Sequence, residues 1–278
     1  MQGKVGQAAK VYMASRQDYP DNQVQEMDRQ VFELVNQVRQ RPQDFIPHLE
    51  DMQKRFDGQM YHVPNKTSVR TKEGVQAVRD AIAHLRRQQP CRQLAWNEKL
   101  ALCSRHHVED IGPKGMVQHE ASDGRPVRDR FKKHGQVVTH YGENLSFHCY
   151  TALEVVLQCL VDDGVPDRGH RENIFTPEYR AMGCYTGRHD DFETMTVIDF
   201  VAGFISHDEE DHIERQMNAF LKEEVDFPEM PHDVRGWKQN TKVTVNGHHA
   251  RKTVERVCRL YNGQQQRLEK HFDREFDL

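Results

Sequence analysis

The sequence predicts an α+β protein on three observations. Apolar residues recur at helical spacing through the first 165 positions, two β-branched and aromatic runs follow at 181–205, and two Asn-Gly pairs punctuate strand-like runs near the end.

Taken in order, Met27, Val31, Leu34, Val35 and Val38 mark one helix face, which ends at Arg41 before Pro42. Phe45, Ile46, Leu49, Met52 and Phe56 make a second stripe, and the polar, turn-rich residues 57–71 read as a loop. Val75, Val78, Ile82 and Leu85 mark a third helix closed by Pro90. Leu94 and Trp96 then lead into a central helix carrying Leu100, Cys103, His107, Val108 and Ile111, stopped by Gly112-Pro113. A polar stretch with an Asp123-Gly124 turn separates it from the strongest helix signal in the chain. There Thr151 and Glu154 form a capping box ahead of Leu153, Val156, Leu157, Leu160 and Val161, with Gly164 as the expected stop.

The runs AMGCYTGRH and TMTVIDFVAGFI read as a hairpin of buried strands. After Ser206 a charged helix at about 208–224 and a Pro-punctuated linker at 226–234 are expected. Asn246-Gly247 and Asn262-Gly263 then suggest a three-stranded meander, although Val254, Val257 and Tyr261 also suit a helix.

Composition narrows the function classes. The chain has 278 residues, a formal charge of -4 and only 36% hydrophobic residues. The shortage is local: residues 141–205 contain 30 apolar residues of 65, whereas 206–278 contain 22 of 73. The polar tail is therefore expected to be ordered chiefly by packing on the rest of the chain or on a partner. Near-neutral charge gives no nucleic-acid footprint, and no run approaches the ~20 apolar residues of a membrane span. The first 23 residues lack the apolar stretch of a signal peptide, so a cytoplasmic protein is expected. The six cysteines form no C-x-x-C pair and read as buried thiols.

No Gly-rich phosphate loop, H-E-x-x-H or G-x-S-x-G is present, which leaves a concentration of His and carboxylates between 106 and 175. Its pieces are Gln118-His119-Glu120, Tyr141-Gly142-Glu143-Asn144-Leu145, and Asp162-Asp163-Gly164 through Gly169-His170-Arg171-Glu172-Asn173. Two imidazoles and one or two carboxylates together bind a divalent metal such as zinc, or else form a hydrogen-bonded acid–base cluster. His119 and His170 lie 51 residues apart, and spacing alone does not bring them together. His106 and Asp110, at i,i+4, are a weaker metal pair, more simply a solvated helix face.

The ordered set GMVQHEASDGRP, YGENL, VVLQCLVDDGV, RGHRENIF and MGCYTG resembles the CAP superfamily of cysteine-rich secretory proteins, antigen 5 and plant pathogenesis-related proteins. The resemblance covers about 27–205, with an insertion at about 42–92, between an arm at 1–26 and an extension at 206–278. It implies a three-layer α-β-α sandwich and a cleft tetrad of His119, Glu143, Asp162 and His170. The third member is Asp where the family usually has Glu, and Asp163 is its fallback. Asn144, Arg171 and Asn173 are expected to support the cleft. His119 and His170 are the metal candidates; the alternative is that His170 simply bonds a neighbouring carboxylate, and a pairing with Glu143 across the cleft satisfies both without a ligand.

For function, the resemblance implies a non-enzymatic binding or scaffold module with protein partners. The DDGV–RGHR version of the motif suggests docking on a larger assembly, such as the microtubule cytoskeleton of a cilium or flagellum. A zinc-dependent hydrolase, with Glu143 or Asp162 as base, and a sterol or lipid carrier are the alternatives.

Overall fold

The computed structural model describes residues 26–63, 67–223, 231, 233–246 and 249–275. The expected arm at 1–26, apart from Glu26, and most of the linker at 226–234 lie outside these residues. The chain divides into two compact units, the first ending at Phe204 and the second beginning at Ile205.

In the first unit, helix α1 (Glu26–Gln40) leads through a 3-10 turn (Pro42–Phe45) into α2 (Ile46–Gln53). The expected loop at 57–71 contains a small sheet of two-residue strands: β1 (Phe56–Asp57), β2 (Met60–Tyr61) and β3 (Val69–Arg70). Strands this short leave no period-2 pattern to read. Helix α3 (Val75–Arg87), strand β4 (Ala95–Trp96) and helix α4 (Glu98–Ile111) follow. Next come α5 (Val127–Phe131) and β5 (Gly135–Phe147), which the sequence reading did not resolve. Strand β5 is an edge strand whose residues 136–141 are largely exposed, so it lacks an apolar alternation.

Helix α6 (Ala152–Val161) has the Thr151–Glu154 capping box. It ends before the expected Gly164, because Asp162 takes the left-handed conformation (φ 56°, ψ 46°) and caps it. The short α7 (Gly169–Phe175) precedes the antiparallel hairpin β6 (Ala181–His189) and β7 (Glu193–Ser206), paired through Met182–Phe200 and Cys184–Ile198.

The four-stranded sheet has the order β4-β6-β7-β5. Side-chain alternation splits its core. Met182, Cys184, Ile198 and Phe200 pack under α1, α2, α3, α6 and α7. The opposite face presents Met195, Val197 and Val201 to Leu100, Cys103, Val108 and Ile111 of α4, with Phe131 of α5. Both faces are covered, which makes the α-β-α sandwich. Helix α4 sits close because β6 offers Gly183: a Cβ there would lie 2.2 Å from the Ala101 nitrogen. All six cysteines are free thiols, five buried and Cys91 half-buried.

The second unit has a small apolar cluster of its own. Helix α8 (His207–Lys222) opens on a Ser206–Glu209 capping box. Strands β8 (Val234–Asn246), β9 (His249–Leu260) and β10 (Gln265–Glu275) form an antiparallel meander in the order β10-β9-β8, so the helical alternative for Val254–Tyr261 is set aside. Gly263 takes φ 84° in the second turn, while Gly247 lies outside the described residues. Phe220 packs on Ala250, Val243 and Phe272. Buried Lys252 donates Nζ to the carbonyls of Phe220 (2.8 Å) and Glu223 (2.6 Å), closing the C-terminus of α8. Among the described residues no helix is long and apolar enough to cross a membrane.

Candidate functional site

The four expected cleft residues form two His–carboxylate pairs. In the first, Glu143 of β5 is buried, and its Oε1 meets Nδ1 of His119 at 2.8 Å. Its Oε2 accepts from Nη2 of Arg130 on α5, whose Nη1 also donates to the His119 carbonyl (2.9 Å). Burial pushes the Glu143 carboxyl up, but the His119 hydrogen bond and the Arg130 charge outweigh it and hold the group below the usual carboxylate range. The bond to Glu143 raises the His119 imidazole in turn. Asp199 on β7, fully buried, accepts from Ser104 Oγ at 2.7 Å. Desolvation, then the charge of Glu143, hold it well above the usual range. The two neighbouring acids are thus shifted in opposite directions, Glu143 toward the charged form and Asp199 toward the neutral one.

In the second pair, Asp162 Oδ1 meets His170 Nδ1 at 2.5 Å, and its Oδ2 accepts from the backbone N–H groups of His170 (2.9 Å) and Arg171 (3.2 Å). The αL turn that ends α6 aims this short acid at the first turn of α7, where a carboxylate is favourable. His170 therefore bonds a neighbouring carboxylate, as expected, but that acid is Asp162 and not Glu143. The fallback acid faces elsewhere: Asp163 accepts from the backbone N–H groups of Lys72 (2.6 Å) and Glu73 (2.8 Å). One residue of helix end thus separates an acid on the His from an acid on the insertion.

Asn144 and Asn173 tie the two halves together. Asn144 Nδ2 donates to the His170 carbonyl (2.9 Å), and Asn173 Nδ2 donates to Asn144 Oδ1 (2.8 Å). Gly142 makes room for this contact, since a Cβ there would sit 2.4 Å from Asn173 Oδ1 and 2.5 Å from the Tyr179 hydroxyl. Arg171 donates to the carbonyls of Leu160 (2.6 Å) and Val161 (3.2 Å) and pairs with Asp80 at 3.0 Å. Arg168 grips both oxygens of Glu73 at 2.6 Å. The insertion therefore supplies Glu73 and Asp80 as anchors for the RGHR segment.

His106 and Asp110 are not brought together as a metal pair. His106 stacks on His134 with ring centroids 5.0 Å apart, while Asp110 binds Lys114 and Ser122. Both helix positions line a polar hollow of about 350 Å³, which Arg130 also borders.

The resemblance implies a divalent metal at these residues. Among the described residues no group of three or more His, Cys, Asp or Glu gathers to hold an ion. Both oxygens of each acid already accept from protein donors, and Nδ1 of each His faces its acid, which leaves Nε2 of each imidazole as the atom that would take a metal. Two imidazole nitrogens alone are fewer than the three or four protein ligands of a zinc site. Sequence reasoning missed Arg130, Ser104 and Asp199, because an Arg in a polar stretch and a polar pair inside apolar elements carry no motif.

Residues 79–200 match the family model of the cysteine-rich secretory protein family, CAP. The chain contains a CAP domain. The motif residues of both pairs fall inside the matched segment of the CAP domain, whereas the anchor Glu73 precedes it. Among solved structures, the chain is similar to an outer surface protein from Borrelia burgdorferi, with 19% identity over 40% of this chain and 78% of that one and a TM-score of 0.35. It is also similar to an extracellular protein containing a SCP domain from Bacillus anthracis str. Ames, at 18% identity over 46% of this chain and 37% of that one, with a TM-score of 0.31. No curated protein matches the chain.

Proposed function

We propose that this CAP-domain protein is a non-enzymatic binding module in which the His–acid pairs hold the cleft in shape. The observation that carries the reading is the burial of Glu143 and Asp162, whose side chains are 2% and 1% exposed. A general base needs a lone pair that substrate can reach, and both carboxylates are buried behind an Arg, a His or backbone N–H groups. The pairs have the form of orienting interactions, with the acid buried and the imidazole facing outward: His119 is 47% exposed and Glu143 2%. Docking on a cytoskeletal assembly belongs to the same proposal and rests on the motif version alone.

Metal analysis after dialysis tests the cleft. The expected result is less than about a tenth of an equivalent of zinc, with melting unaffected by a chelator. One equivalent, lost in both His119→Ala and His170→Ala, overturns the reading in favour of a metal site. Co-sedimentation with cytoskeletal fractions tests the docking, and a compact monomer that stays in the supernatant overturns it.

A further inference from the structure

The charge of this chain is unevenly placed. Residues 234–275 carry ten Lys and Arg against four Asp and Glu, a net +6, so the rest of the chain carries −10. Within the meander the excess is shared by β8 and β9, each a net +3, while β10 is neutral. Strand β8 has Arg235, Lys238 and Lys242 and no acid, and all three are exposed, as is Arg259 beside them on β9. Among the described residues none of these four meets a carboxylate. The other edge is balanced: β10 matches Arg267, Lys270 and Arg274 with Glu269, Asp273 and Glu275, and Arg267 and Arg274 are also paired with Glu255 and Glu223.

Strand β8 ends the sheet, so alternate backbone N–H and C=O groups along it point away from β9. Pairing places Lys238 opposite Val257 and Lys242 opposite Thr253, on one face. Trp237, opposite Cys258, lies on the other face with Gln239 and Thr241. Trp237 is 48% exposed, and the Arg256 guanidinium lies 5.0 Å from its ring centroid. A strand laid along β8 would therefore meet cations on one face and an indole on the other.

We propose that the open β8 edge binds an acidic, extended polypeptide segment by strand addition, with acidic side chains over Lys238 and Lys242 and apolar ones beside Trp237. Charge selects the partner, because the same lysines repel a second copy of this edge. The open backbone selects a polypeptide over a nucleic acid, since only a peptide main chain matches its alternating donors and acceptors. The inference stands on the second unit and is independent of the reading of the CAP domain.

The test uses the full chain and a labelled peptide alternating Glu and Val, as long as β8 at 13 residues, followed by fluorescence anisotropy at low salt. Saturable binding that weakens with added salt is expected. It should fall about tenfold in the Lys238→Glu/Lys242→Glu variant and hold in a Lys54→Glu/Arg70→Glu variant of equal charge. A peptide N-methylated at alternate residues should not bind the wild type, a comparison that needs no variant to fold. The proposal is overturned if the N-methylated peptide binds equally well, if a uridine oligonucleotide of equal charge binds more tightly, or if the correctly folded β8 double variant keeps wild-type affinity.

Discussion

His119 and Glu143 stand 2.8 Å apart with opposite access to water, the acid buried and the imidazole half exposed. Arg130 completes the set from inside, so Glu143 joins β5, α5 and the loop that carries His119.

That asymmetry predicts unequal costs. Glu143→Gln leaves the buried Arg130 guanidinium without its counter-charge and should destabilise the fold by about 3 kcal/mol or more. His119→Ala removes a bond at a half-exposed group and should cost about 1 kcal/mol. Urea denaturation of both variants checks the order, and equal losses would contradict the structural role of the pair.

Adjacent acids at the end of α6 should report on different places. Asp162→Ala frees the backbone N–H groups of His170 and Arg171, whereas Asp163→Ala frees those of Lys72 and Glu73. Amide exchange should accelerate at 170–171 in the first variant and at 72–73 in the second, and Asp162→Ala should be the costlier, by about 2 kcal/mol.

Acid stability should depend on Glu73. The Arg168 hydrogen bond, helped by the Gly164 N–H, lowers its pKa from 4.5 to about 2. A depressed folded-state value contributes stability that is complete above the unfolded value of 4.5 and disappears as pH falls through 2. Since 33% of the side chain faces water, the pair is worth about 1 kcal/mol at neutral pH. Glu73→Gln should lose that amount at pH 7 and show a shallower decline between pH 4.5 and 2 when melting temperature is followed against pH.

Gly183 fixes how closely α4 lies on the sheet. In Gly183→Ala the new methyl would overlap the backbone of Leu100 and Ala101, at 2.6 and 2.2 Å. Helix α4 must shift, at a cost of about 3 kcal/mol. A melting temperature within a degree or so of wild type would show that the contact is loose.

Amphipathic stripes made α1, α3, α4 and α6 legible in the sequence, because each helix buries one face and the 3.6 period survives as a pattern. The hairpin and the meander were legible as well, the first from its continuous apolar runs and the second from its Asn-Gly turns. Strand β5 was not, because an edge strand buries too little to impose alternation.

The residue types of the two cleft pairs were set by the sequence alone, which placed His119, Glu143, Asp162 and His170 in order along the chain. Which acid meets which imidazole was decided only by the tertiary structure. The left-handed turn at Asp162 aims it at His170 and hands Asp163 to the insertion, and the burial of Arg130 and Asp199 shifts the carboxyls near His119 in opposite directions. Pairing and protonation depend on distances between segments far apart in the chain, and those distances exist only once the sheet and its two helical layers have closed.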